Sequence, residues 1–145
     1  MQTFLPYESF AESARCLDYR RLGKQRVEAY QILRTLTGES KGWVNHPAVK
    51  MWRGYEVALA KYGYEMCKEW KARGYKDTLE EKFMQYLVQH INRDSLMFPV
   101  PDWLGGSIHA SHRSNLLRKN KEFYSKYGWT ETDNLSYVWP VQKEK

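Results

Sequence analysis

The run Leu17-Asp18-Tyr19-Arg20-Arg21-Leu22-Gly23-Lys24-Gln25-Arg26-Val27-Glu28 gathers cations around one carboxylate near the start of the chain. Read as a helix, Arg21, Lys24 and Glu28 fall at i, i+3 and i+7 and share one face, with Arg20 beside it. A carboxylate among cations is held ionised, which suits it to stabilise a positive intermediate or to accept a proton. The plainer reading is a solvated face with an i,i+4 ion pair from Lys24 to Glu28, since charge runs are more often surface than site. A second group lies in Ile108-His109-Ala110-Ser111-His112-Arg113-Ser114-Asn115. His109 and His112 are i,i+3 neighbours, but no spacing supplies a third ligand, so no metal site is expected. Either these residues form a polar rim that touches phosphates, or they follow a helix start capped by Ser107. His46, just before Pro47, reads as a cap or loop contact. The cluster Lys126-Tyr127-Gly128-Trp129 has the makings of a base-stacking surface.

Helices must carry these groups. From Ser9 to about Leu36, Phe10, Ala14 and Leu17 and then Val27, Tyr30, Leu33 and Leu36 keep helical spacing. Gly23 within that stretch predicts a kink or a close backbone approach, and Thr37-Gly38 predicts the stop. A second helix opens at Pro47, capped by Asn45 or His46, and ends at Ala72-Arg73-Gly74. Its stripe of Val49, Trp52, Tyr55, Leu59, Tyr62, Met66 and Trp70 reads as core. A third helix is expected from Leu79 to about His90. Two prolines make Phe98 to Trp103 extended. A last helix, from about Ser107 to Tyr124, carries basic residues, and the tail after Gly128 is aperiodic and aromatic. The expectation is all-α: a single compact domain over residues 1–145, of about four helices with an aromatic, basic C-terminal segment.

Composition sets outer limits. The 145 residues are 42% hydrophobic, 28% charged and 15% aromatic, which excludes disorder and collagen-like repeats. No apolar run approaches a membrane span, and Met1 to Pro6 lack the regions of a signal peptide. Cys16 and Cys67 form neither a metal spacing nor a disulfide framework, which fits a reducing cytosol. A cytoplasmic protein without a membrane partner is expected. Lys plus Arg number 23 against 17 Asp plus Glu, a net charge of +6. The excess is concentrated in Arg15 to Arg26 and Arg113 to Lys126, each with five cations and one carboxylate. Two such blocks suggest a polyanionic partner, nucleic acid above all.

The stretch from Leu17-Asp18 to Glu28, the pair His46-Pro47, and the helix ending Glu69-Trp70-Lys71-Ala72-Arg73-Gly74-Tyr75 together resemble the pyrimidine-dimer DNA glycosylase and AP lyase family, over most of the chain. The resemblance implies an all-helical DNA-repair glycosylase acting on UV cyclobutane pyrimidine dimers in double-stranded DNA. It implies that an N-terminal α-amine attacks C1′, expels the base and forms a Schiff base that permits β-elimination. It makes Glu28 the essential glutamate, able to steady oxocarbenium-like charge and to shuttle protons. No metal or other cofactor is implied. An α-amine, with a reference pKa of about 7.7–8.0, keeps a neutral fraction near pH 7, whereas a lysine at about 10.4 needs strong depression.

Gln at position 2 discourages removal of the initiator, so the expected nucleophile is the amine of Met1, or of Gln2 if Met1 is removed. The expected DNA-binding set is Arg20, Arg21, Lys24, Arg26, His46, His109, His112, Arg113 and Lys119, in a monomer. Arg20 and Arg21 stand where the family has two other polar DNA-contacting residues. Catalysis on another modified pyrimidine is one alternative. A non-catalytic helical DNA-binding module is a second, and an RNA-binding protein a third.

Overall fold

The computed structural model describes residues 1–91 and 97–140. Among the described residues there are seven α-helices, one 3-10 turn and no strand. They are α1 (Phe10–Cys16), α2 (Tyr19–Leu36), α3 (Pro47–Lys50), α4 (Glu56–Ala72), α5 (Glu80–His90), α6 (Ile108–Lys119) and α7 (Lys121–Tyr124), with the 3-10 turn at Ser125–Tyr127. The helical class is as expected. The count of about four is not, because three of the expected helices are each split in two.

Each split has a physical cause. Between α1 and α2, Leu17 and Asp18 adopt extended backbone, and the Asp18 carboxylate accepts from the Arg21 N–H to start α2. The Asp18 N–H donates to the Tyr124 hydroxyl at 3.0 Å, and that hydroxyl donates back to the Asp18 carboxylate. A partner 106 residues away thus satisfies a break that no local pattern announces. Between α3 and α4 the chain turns at Gly54, whose φ is +88°. That turn lets Trp52 sink fully into the core and donate its indole N–H to Thr3 Oγ1 at 3.0 Å. Between α6 and α7, Asn120 leaves helical geometry and its side chain caps Phe123 N–H at 3.2 Å.

The helix ends marked by glycine stand where the sequence put them, with Gly38 and Gly74 both at positive φ. His46 caps α3, its Nδ1 accepting from Ala48 N–H at 2.9 Å, whereas Ser107 makes no side-chain cap bond to α6. Gly23 causes no kink. It is a close approach: a Cβ there would stand 2.9 Å from the Trp70 ring, so α2 and α4 meet through a glycine.

Helix α4 is the centre of the packing, with α1, α2 and α5 against it. Its Leu59, Tyr62 and Met66 are fully buried, as are Leu22 and Ile32 of α2 and Phe83 of α5. Residues 2–6 are buried too, although they form no helix or strand. No helix among the described residues is long and apolar enough to cross a membrane.

Candidate active site

An extended segment inside a helical core must have its backbone polar groups met by something. Here side chains meet them in succession. Gln2 N–H donates to Glu28 Oε2 at 3.2 Å, Phe4 N–H to Gln25 Oε1 at 2.6 Å, and Leu5 N–H to His112 Nδ1 at 2.8 Å. On the carbonyl side, Leu5 O accepts from His109 Nδ1 at 2.7 Å and Pro6 O from Arg113 Nη1 at 2.7 Å. The Tyr62 hydroxyl lies 2.8 Å from Phe4 O and 2.7 Å from Gln25 Oε1, one hydrogen between two acceptors. His109 Nε2 accepts from Gly105 N–H at 2.8 Å, which fixes the Nδ1–H tautomer. His112 must carry its proton on Nε2, where it has no partner. Burial, with some help from His109, pushes the His112 pKa down to about 3, so this ring is neutral.

The segment delivers the chain end to a cavity of about 740 Å³. Met1, Gln2, Glu28 and Tyr137 line it with four cations: Arg20, Arg21, Lys24 and Lys119. Spacing along α2 explains the arrangement. Gln25 and Glu28 are one turn apart, and Gln25 Nε2–H donates to Glu28 Oε2 at 3.1 Å. Glu28 Oε1 is 3.9 Å from Lys24 Nζ; the glutamate side chain is 12% exposed and the lysine 73%. Lys24 is therefore an exposed cation at the mouth, while Glu28 is largely buried below it. Asp18 is braced from the other side. Burial favours its neutral form, but the Tyr124 hydroxyl and Arg21 hold its pKa below the usual carboxylate range.

The other expected site residues stand elsewhere. Arg26 pairs with Asp77 at 2.5 Å and its guanidinium lies 4.8 Å from the Trp70 ring centre. Asp77 in turn caps α5, accepting from Leu79 and Glu80 N–H groups. Arg113 is held by Glu131 at 2.9 Å as well as by Pro6 O. His109 and His112 are buried among the groups they clamp. His46 is half-buried at the N-terminus of α3; burial and then the nearby N-terminal ammonium hold its pKa below the usual value, against an opposing pull from Glu28. In the cluster expected to stack on bases, Lys126 is exposed and the two rings are half-buried: Trp129 stacks on Tyr124 and Tyr127, and its indole N–H donates to Tyr7 at 2.9 Å. Among the described residues no group of three or more His, Cys, Asp or Glu side chains could hold a metal ion.

The chain end is thus held to a glutamate in a cationic cavity. The sequence model of the family described as pyrimidine dimer DNA glycosylase matches residues 1–83. The chain belongs to that family. No curated protein and no solved structure was found to match. The matched part of this glycosylase-family chain holds Met1, Gln25, Glu28 and the α2 cations. The clamps His109, His112 and Arg113, with Lys119, lie outside it. Gln25, Tyr62 and Trp52 escaped the sequence reading as site residues. The available signal was Gln25 itself, a polar residue three positions before Glu28 on the same face.

Proposed function

We propose that this chain cuts the glycosidic bond of a cyclobutane-dimer pyrimidine in double-stranded DNA and then cuts the strand, with its N-terminal amine as nucleophile and Glu28 as proton carrier. The observation that carries this reading is the Gln2 N–H to Glu28 Oε2 bond of 3.2 Å, which tethers the chain end to a carboxylate. With the terminal residue held there, attack becomes effectively intramolecular once the nucleotide is in place. The neutral amine of Met1 gives its lone pair to C1′ as the C1′–N1 bond breaks. The base leaves C1′ with the bonding pair and takes a proton from solvent, still joined to its neighbour through the cyclobutane ring. Glu28 accepts a proton from the new C1′ ammonium and passes it to O4′ as the sugar ring opens, which leaves the iminium, or Schiff base. Glu28, again a carboxylate, then removes a proton from C2′. The electrons shift toward the iminium and return to expel the 3′-phosphate, completing β-elimination.

Around this centre Arg20, Arg21, Lys24 and Lys119 neutralise phosphates of the flanking strand. Arg21 also keeps Asp18 ionised, with its Nη1 at 3.2 Å. If Met1 is cleaved off, the amine becomes that of Gln2, which already sits on Glu28; an intact-mass measurement distinguishes the two.

A duplex with one site-specific cyclobutane dimer tests the proposal. The expected result is one broken glycosidic bond at the dimer, read as free pyrimidine only after photoreversal of the cyclobutane ring, and a β-elimination nick there, with an undamaged duplex left whole. Glycosidic cleavage, revealed by photoreversal, without a nick would remove the lyase half of the reading. Nicking confined to another modified pyrimidine would move the substrate, and binding without either product would leave a non-catalytic DNA-binding module.

A further inference from the structure

Trp43 is 64% exposed, and among the described residues it is the one non-glycine residue with positive φ, at +64°. A bulky side chain in the left-handed region is disfavoured and persists only where neighbours impose it. Here they do. The carbonyls of Gly42, Trp43 and Val44 accept in turn from Thr35 Oγ1 at 2.9 Å, His46 N–H at 2.9 Å and Arg53 Nη2 at 3.4 Å. The loop is pinned on both sides of the ring it presents.

That ring also ends a path that begins in the cavity. Tyr137, which lines the cavity with Met1 and Glu28, meets Trp139 at 5.7 Å between ring centres. Trp139 meets His46 edge-on at 5.8 Å, and His46 meets Trp43 edge-on at 6.0 Å. Tyr137, Trp139 and His46 are half-buried, and Trp43 alone of the four is exposed. From Lys41 to Arg53 the chain carries three cations, Lys41, Lys50 and Arg53, and no carboxylate. All three are exposed. A free aromatic face among cations, three ring contacts away from the cationic cavity, suits a nucleobase that has lost its stacking partner and the phosphates beside it.

We propose that Trp43 is a base-stacking residue, which enters the duplex beside the damaged nucleotide and covers the base face exposed when the duplex opens. This rests on the reading of the cavity above as a site for DNA. The need is physical: C1′ of a stacked nucleotide is out of reach of an amine, and opening the stack costs energy that a substitute stacking partner offsets.

The test uses the full chain and a duplex carrying a tetrahydrofuran abasic analogue, which cannot form an imine, next to 2-aminopurine. Trp43→Ala should weaken binding at least about fivefold and remove most of the 2-aminopurine emission change, while Trp43→Phe keeps much of both. Its unfolding midpoint should match the wild type, since the side chain is exposed. Equal affinity and equal emission change in Trp43→Ala would overturn the proposal. Borohydride trapping at a natural abasic site adds a second arm. Trp43→Ala should trap poorly on duplex and normally on single strands, where nothing needs unstacking; equal loss on both would make Trp43 structural and would also overturn it. A wild-type chain that traps on neither would end the lyase reading, while the affinity and emission arms would still decide the role of Trp43.

Discussion

Helix α2 lines two cavities of similar size, about 740 Å³ along its first half and about 660 Å³ along its second. The second is lined by Tyr30, Arg34, Glu39, Glu56, Lys82 and Tyr86, among others, with cations and carboxylates in balance. Its polar groups find local partners: Arg34 and Glu39 pair at 3.6 Å, both well exposed, and His90 stacks on Tyr86 one turn away. Such pairs are screened by water and contribute little. At the first cavity local pairs are joined by partners from across the sequence: Glu28 accepts from Gln2 at a separation of 26 residues, and behind it Leu5 is held by His112 at 107. Volume therefore does not mark the site. What marks it is a buried polar network whose only evident product is the fixed position of a chain end.

Changes at the two cavities should separate sharply. Glu28→Gln should cut strand cleavage by about 10²–10⁴-fold while duplex binding persists, as gel-based cleavage and anisotropy would show. Equal loss of both would make Glu28 a binding residue. The pH dependence of stability comes next. The His112 pKa of about 3 lies below its ordinary value, so the unfolded chain takes up the proton first. The stabilisation is complete above about pH 6.5 and is lost as pH falls toward 3, by up to about 4 kcal/mol. Unfolding midpoints measured from pH 7 to 4 should fall, and the fall should be shallower in His112→Gln.

A smaller effect is expected of Gln25→Leu, which strips Phe4 N–H of its acceptor and removes one of the two hydrogen bonds to Glu28 Oε2. It should cost about 2–3 kcal/mol in denaturant unfolding and raise amide exchange in residues 2–5. The smallest effects concern exposed cations. Arg20→Ala and Lys24→Ala should each lower the salt slope of DNA binding by about 1, whereas Arg34→Ala at the second cavity should leave that slope unchanged.

The two regions also differ in how far the sequence announces them. The stops at Gly38 and Gly74 and the shared face of Arg21, Lys24 and Glu28 follow from short-range rules, so they are legible without a structure. The split after Cys16 is not, because Tyr124 and Asp18 settle it between them across the whole chain. The same holds for the basic and histidine residues of the group from Ile108 to Asn115. Their types suggested contact with phosphates, yet His109, His112 and Arg113 are turned inward onto the carbonyl and amide groups of residues 5 and 6. Sequence spacing showed which residues share a helix face. It carried no information on whether that face meets DNA or the protein's own buried segment. Arg26 illustrates the limit within one helix: two residues from Glu28, it points to Asp77 and Trp70 instead.

The central claim is that the fixed chain end is the nucleophile. Borohydride trapping on a dimer-containing duplex, followed by peptide mass mapping of the reduced crosslink, tests it directly. The account predicts a single crosslink at the α-amine of the N-terminal residue, lost in Glu28→Gln. A crosslink at Lys24 or Lys119, or strand cleavage with no trappable intermediate, would contradict it.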